Sequence, residues 1–475
     1  MNDEPSYEEL KELVAALRRL SEQQGARIAE LEDEIARLAD RLGRTPRNSS
    51  MPPSAEGLSK PPANRAERRK AAKRRPGKQP GSEGHHLARV EHPDAVVLHA
   101  PRTCRGCGQD LAGADIVSVE ARQVFEMPAV RAHVTEHRLV KLRCSCGCET
   151  KGTAPPEASA PAAYGPRVRA LAVYLSIYHH VPYARLAEIF TDVMGVRVSA
   201  GSLAAMVAEG GAGLGGFEAE LSQRLRAAPV VHFDETGARV AGFLHWVHVA
   251  SNTLDTLLRC HTRRGGVALD DIGVIGAMDG VAVHDGWTPY RAYDVVHGLC
   301  NAHHLRELEA VTERFAQAWA AKMITLLTEA KTAVAEAQAS GRTHLEADVL
   351  DSIQRRYDRL VKAGRAANAG PAPAGIAKTY ANTPINLLER LDYRRDQVLR
   401  FCVDFDVPFD NNQAERDIRM VKLQQKISGS WRTEAGAERF CALRSYVSTM
   451  KKHGYDVLLG LHDLFEGHAW LPGGT

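Results

Sequence analysis

The 475-residue sequence lacks any apolar run approaching the roughly 18 residues that cross a bilayer, so a membrane protein is not expected. It lacks the basic-then-apolar leader of an exported chain as well. MNDEPSYEEL is acidic and polar, which predicts a cytoplasmic location. Net charge is nearly absent too, because 61 Lys and Arg against 58 Asp and Glu leave +3, a balance that selects no partner by itself. What is present is a soluble composition, 44% hydrophobic and 25% charged, in a chain long enough for about two to four domains.

The distribution of charge says more than its sum. Eight Lys or Arg residues crowd Arg65–Lys78, inside a stretch (44–88) rich in Pro, Gly and Ser that has almost nothing to bury and reads as an extended linker. Such a run is either a solvated face or a phosphate-binding one. Since Glu67 and Glu83 are its only nearby acids, nonspecific DNA contact is favoured, with Arg68, Arg69, Lys70, Lys73, Arg74 and Arg75 as candidates. Ahead of it, residues 1–43 carry a heptad seam: Leu10, Leu17, Leu31 and Leu38 on one position, Val14, Ile28, Ile35 and Leu42 on the other, interrupted by Ser21 and Gln24. A coiled coil, and hence a homodimer or higher oligomer, is the expectation. A lone amphipathic helix packed on the body is the alternative.

Five of nine cysteines fall between Cys104 and Cys148, and in a reducing compartment such a cluster reads as metal ligands. Cys104 and Cys107 form a C-x-x-C knuckle; some forty residues on, Cys144, Cys146 and Cys148 offer a second pair, of which Cys144 and Cys146 are favoured. Four thiolates so spaced suit a tetrahedral structural Zn²⁺ in a domain (89–155) with little core, whose runs VVLHA, RQVFEMPAV and HVTEHRLVKLRC are β-like. Cys260, Cys300, Cys402 and Cys441 are scattered and fit small buried residues. Residues 160–225 read as three helices, with Pro182 opening the second, Gly195 in the next turn and Ser199 or Ser202 capping the third. That is the outline of a helix-turn-helix, and of many compact three-helix units.

After Ala228 the period changes. PVVHFDETGARV, FLHWVHVASN and TLLRCHTR read as consecutive strands, GVAVHDG as a fourth and DVVHGLCNAHH as a fifth leading into a helix. This is the element order of a ribonuclease-H-like fold, in which the first and fourth strands are neighbours. Asp234 and Asp285, taken to end those strands, then lie side by side as half of a two-metal site for Mg²⁺ or Mn²⁺. Glu415 is the candidate third ligand, on a helix capped from Asp410–Asn412; Arg419, Lys422 and Lys426 follow it along one face where a DNA backbone could lie. Each acid alone is as readily a turn, cap or ion-pair residue; Glu235 should point to the opposite face from Asp234. A helical stretch at about 305–402 is superfluous to such a core and reads as an insertion. His303 and His304 open it, fitting either phosphate contact or packing. The catalytic region is set at 226–455, followed by a small C-terminal domain, 456–475.

These stretches, together with NSSMPPS, GKQPGSEGHH, YGPRVRALAVYLSIYHHVPYARLAEIF, HDGWTPY, CNAHHLREL and SGSWRTEAGAERFCALRSYVSTMKKHGYDV, resemble the large transposase subunit of the insertion sequence 66 family over nearly the full chain. The resemblance implies catalytic, metal-binding roles for Asp234, Asp285 and Glu415 as a DDE triad. It implies a multidomain α+β chain: a ribonuclease-H-like α/β core with a helical insertion, preceded by coiled-coil helix, zinc-binding domain and helix-turn-helix domain. It also implies as partners the terminal repeats of a mobile element, target DNA and small accessory proteins. The rival expectations are a ribonuclease-H-like nuclease or resolvase that cuts without joining, and a zinc- and helix-turn-helix-containing regulator that only binds DNA.

Overall fold

The computed structural model describes residues 7–43, 87–158, 160–370 and 383–473. The basic run, with Arg68, Arg69, Lys70, Lys73, Arg74 and Arg75, lies outside them. Two compact units divide the chain, one of Met1–Gly57, Thr135–Glu188 and Arg197–Thr475, the other of Leu58–Val134 and Ile189–Val196. Among the described residues no helix is long and apolar enough to cross a membrane.

Helix α1 (Tyr7–Gly43) is unbroken over 37 residues, and its seam residues Val14, Leu17, Ile28, Leu31, Ile35 and Leu38 are all exposed. The segment 87–158 differs from the expectation of a small β domain. Its strands are β1 (Lys141–Arg143) and β2 (Glu149–Lys151), an antiparallel pair closed by the second cysteine knuckle. VVLHA and RQVFEMPAV form no strand. A strand is stabilised by a ladder partner and a face to bury, and here Val96, Val97, Leu98, Val117 and Val124 are each at least 72% exposed.

The three expected helices form: α2 (Pro166–Val173), extended by a π-turn at Tyr174–Tyr178, α3 (Tyr183–Met194) and α4 (Ala200–Ala212). Gly195 takes φ +68° between the last two, a conformation costly for any residue with a Cβ. Ser199 caps α4, its Oγ accepting the Ser202 N–H at 3.0 Å. A further helix, α5 (Gly215–Arg226), buries Phe217, Leu221 and Leu225.

The sheet runs in the order β5-β4-β3-β6-β7, from β3 (Val230–Val240), β4 (Phe243–Ser251), β5 (Thr256–His261), β6 (Val281–His284) and β7 (Val296–Leu299). The first three strands are antiparallel, whereas β3–β6 and β6–β7 are parallel, with α6 (Gly266–Ile272) in the β5-to-β6 crossover. After β7 come α7 (Asn301–Phe315), α8 (Ala318–Ala339), α9 (Ala347–Ala367) and α10 (Thr383–Tyr393), then two single helical turns. These helices have a core of their own, around Leu308, Trp319, Met323, Leu327, Tyr357 and Leu391. Gly364 is needed in it, since a Cβ there would stand 2.4 Å from Leu388 and 3.0 Å from Trp319.

The chain then returns to the sheet as α11 (Asn412–Ser428), α12 (Glu434–Lys452) and α13 (Val457–Phe465). Phe440, Tyr446 and Met450 of α12 share one core with Val231, Phe233, Val247 and Leu257 of the sheet. The same core takes Ala170, Val207 and Phe217 from the preceding helices and Leu461 and Leu464 from α13. The residues set apart by sequence as a C-terminal domain are therefore packed into the main core, which their short apolar stretch is too small to replace. Ser445 and Thr449 also meet edge strand β5, their hydroxyls accepting the N–H groups of Leu258 (2.8 Å) and Thr256 (3.1 Å).

Candidate active site

Asp234 and Asp285 come from neighbouring strands. The parallel ladder of β3 and β6 ends at His232↔Val283; Asp234 lies just beyond it, and Asp285 directly follows the last residue of β6. Asp234 is not at a strand tip, because β3 continues against β4 as far as Val240↔Phe243. Each carboxylate has one oxygen fixed by backbone: Asp234 Oδ1 accepts the Glu235 N–H (2.9 Å) and Asp285 Oδ1 the Trp287 N–H (2.8 Å). The turn after Asp285 needs Gly286, at φ +86°, and buried Arg394 donates to its carbonyl at 3.1 Å.

Glu415 sits in the first turn of α11, and the residue that holds this turn is Asn411. Expected as a cap, Asn411 makes no cap hydrogen bond with its side chain. It faces β3 instead. Its Nδ2 donates to the Phe233 carbonyl (2.7 Å), its Oδ1 meets His232 Nδ1 (2.8 Å), and its own N–H donates to Cys300 Sγ (3.2 Å). Asp410 supplies the local contact, its Oδ1 accepting the Asn412 N–H at 3.2 Å. The start of the Glu415 helix is thus locked to the strand of Asp234 and to the residue before α7.

The three acids are electrostatically coupled. Burial pushes the Asp234 carboxyl well above the usual carboxylate range, and the charges of Glu235, Asp285 and Glu415 push it further against the opposing Glu235 N–H. Glu415 is raised by burial, with Asp410 and Asp285 adding to the effect and Arg306 and Arg419 opposing it; Arg306 stands 4.0 Å away. Carboxylates so placed disfavour one another's ionisation, and a divalent cation relieves that. The all-oxygen donor set fits Mg²⁺ or Mn²⁺.

Glu235 is occupied elsewhere. It accepts Arg264 at 2.6 and 3.0 Å through one oxygen and the Tyr290 hydroxyl at 2.7 Å through the other. The Arg264 guanidinium lies over the rings of Trp246 (4.7 Å) and Trp287 (4.2 Å). Of the two histidines opening α7, His304 is buried and its Nδ1 meets Asn301 Oδ1 at 3.0 Å. His303 Nδ1 is shut off from solvent with no partner, and ligand atoms of Cys300, His303 and Glu415 lie within 4.8 Å of one another. Burial, reinforced by Arg306 and opposed by Asp285, lowers His303 to about 4. Sequence reasoning missed Arg264 and Tyr290 and gave Asn411 only a capping role, since their partners are remote in the chain; the adjacent His pair was visible, but not which member has an unpartnered nitrogen.

The expected cationic stripe is only partly available. Arg419 and Lys426 are exposed, but Lys422 is half-buried and donates to the Gly237 carbonyl; burial, then Lys426, lowers its ammonium. On α4 the exposed residues Ala200, Gly201, Ala205, Glu209 and Ala212 include no cation, and Glu209 pairs with Arg169 at 2.7 Å.

Each cysteine knuckle is a tight backbone turn. Around Cys104, the Gly108 N–H meets the Cys104 carbonyl (2.9 Å) and the Cys104 N–H meets Gln109 O (2.8 Å); at the second, Gly147 N–H meets the Cys144 carbonyl (2.9 Å) and Cys144 N–H the Cys148 carbonyl (2.8 Å). Backbone N–H groups of Cys107 and Gly106 lower the Cys104 thiol, and that of Cys146, helped by the Cys146 and Ser145 side chains, lowers Cys144. All these cysteines are free thiols, and N–H groups turned onto sulfur favour the thiolate a zinc ion takes.

A family model described as the transposase IS66 family matches residues 161–439, spanning both aspartates, the helical insertion and Glu415. A second, described as a family of unknown function (DUF6444), matches residues 2–88. No curated protein matches the chain.

Proposed function

The chain belongs to the IS66 family of transposases, and from that premise we propose that it binds the terminal repeats of a mobile element, cuts DNA there and joins the cut end to target DNA. The supporting observation is that half-buried Asp234, beside the β3–β6 ladder, feels the charges of both Asp285 and Glu415, and that Glu415 on α11 feels that of Asp285, at a sheet of strand order β5-β4-β3-β6-β7. In this reading the three acids are catalytic metal ligands. Two Mg²⁺ or Mn²⁺ ions, when bound, supply the Lewis-acid chemistry of in-line displacement at phosphorus. Asn411 fixes the approach of Glu415 to β3, and the Arg264–Glu235–Tyr290 group stiffens the strand beside Asp234 without competing for the ions. Arg306 and Arg419 face Glu415 and suit phosphate oxygens, while exposed Arg419 and Lys426 guide a backbone along α11.

The same reading gives the knuckle thiols of Cys104, Cys107, Cys144 and Cys146 to structural zinc. It assigns helices 166–212 and the basic linker to DNA, α1 to pairing of copies, and gives accessory proteins a helper role. The decisive experiment uses Glu415→Gln protein with labelled element-end DNA and Mg²⁺ or Mn²⁺. End binding persists and cutting disappears. Cutting near the wild-type rate would remove Glu415 from the site. Wild-type cutting without strand transfer from pre-cut ends would identify a nuclease or resolvase, and metal-independent binding with no cutting a regulator.

A further inference from the structure

His303, next to Glu415, has a buried ring nitrogen with no partner in the protein alone. It stands in the first turn of α7, a 15-residue helix that starts directly after β7 and Cys300. Its Nδ1 is excluded from solvent and meets no donor or acceptor. A buried polar atom without a partner is destabilising, so one left in place calls for a partner from outside the folded chain. The neighbouring His304 shows the contrast, for its ring is tied to Asn301 within its own helix and packing accounts for it.

The surroundings of His303 define that partner. A ligand atom of its ring lies within 4.8 Å of a Glu415 carboxylate oxygen and of Cys300 Sγ, and the charge of Asp285 reaches the ring. Cys300 is buried and its sulfur already accepts the Asn411 N–H, so it ties the starts of two segments together. Beside that sulfur, the cluster offers an imidazole nitrogen of His303 and a carboxylate oxygen of Glu415.

We infer that His303 is a further protein ligand of the divalent ion held by Glu415, giving that ion a mixed nitrogen and oxygen shell. This rests on the DDE reading of the site above. An imidazole donor favours Mn²⁺ over Mg²⁺, which prefers oxygen alone, so His303 sets ion preference as well as affinity.

Pulsed EPR of Mn²⁺ bound to the full-length protein with element-end DNA tests this independently of turnover. Wild type shows modulation from an imidazole nitrogen, and His303→Ala loses it and binds Mn²⁺ at least about tenfold more weakly, with a smaller loss for Mg²⁺. Circular dichroism and an unchanged melting temperature confirm that the variant is folded. Should His303→Ala misfold, the wild-type spectrum alone decides, since bound Mn²⁺ without nitrogen modulation overturns the inference. Modulation that survives in folded His303→Ala overturns it as well. In both cases Mn²⁺ binding that is lost in Glu415→Gln leaves the DDE reading standing; Mn²⁺ binding indifferent to Glu415→Gln sinks both.

Discussion

Two regions of this chain are stabilised by different means. Among the described residues of 160–473 the side chains of sheet and helices close over two apolar cores, and Glu235 and Asn411 beside Asp234 have defined partners. Among residues 87–158 no residue is buried, although valine and leucine are plentiful. Burial at about 25 cal/mol per Å² cannot hold the second region, so its order must come from backbone turns and from whatever its thiols bind. A hydrophobic sequence is therefore no guarantee of a hydrophobic core, and the cysteine spacing is the better guide there.

Metal removal should separate the two regions most sharply. Structural zinc contributes about 10–16 kcal/mol to small modules, so stripping it should open 87–158 to protease while the fragment 160–473 stays resistant. Equal resistance of 87–158 with and without metal would end the contrast. Within the body, Trp319→Ala should cost about 3–5 kcal/mol by emptying the insertion core, seen as a lower denaturation midpoint. Asn411→Ala should cost about 1–3 kcal/mol for each buried partner left unsatisfied, and should depress DNA cutting more than end binding because Glu415 loses its anchor.

A smaller effect should appear in the pH dependence of the metal-free body. The folded form holds the Asp234 proton more tightly than the unfolded form, so the group stabilises fully below the unfolded value of about 3.9, and that contribution is lost as pH rises through the raised folded value. Asp234→Asn should flatten this fall and raise the metal-free melting temperature near neutrality, while abolishing stabilisation by Mg²⁺. A wild-type profile with no such decline would contradict the buried, repelled carboxyl. Least of all, Cys148→Ser should leave zinc content nearly unchanged where Cys144→Ser lowers it, since Cys148 contributes its carbonyl to the turn.

Much of the body was legible in the sequence. Alternation located all five strands of the sheet, Ser199 and Gly195 located a cap and a turn, and the order of elements placed Asp234 and Asp285 on neighbouring strands. What remained hidden depends on partners remote in the chain. Asn411 has the composition of a cap but spends its amide on β3, Lys422 fits a phosphate stripe but is drawn to Gly237, and the last helix fills the main core. Periodicity reports which face is apolar and cannot report what that face or a polar side chain meets.

The hydroxyls that Ser445 and Thr449 place on β5 have a consequence for how copies of this chain can associate. They occupy the outward amide donors of Thr256 and Leu258, so a foreign strand cannot pair along that part of the edge. Any assembly that brings two protomers together on DNA must then engage other surfaces, and the exposed seam of α1 is a surface of the right kind.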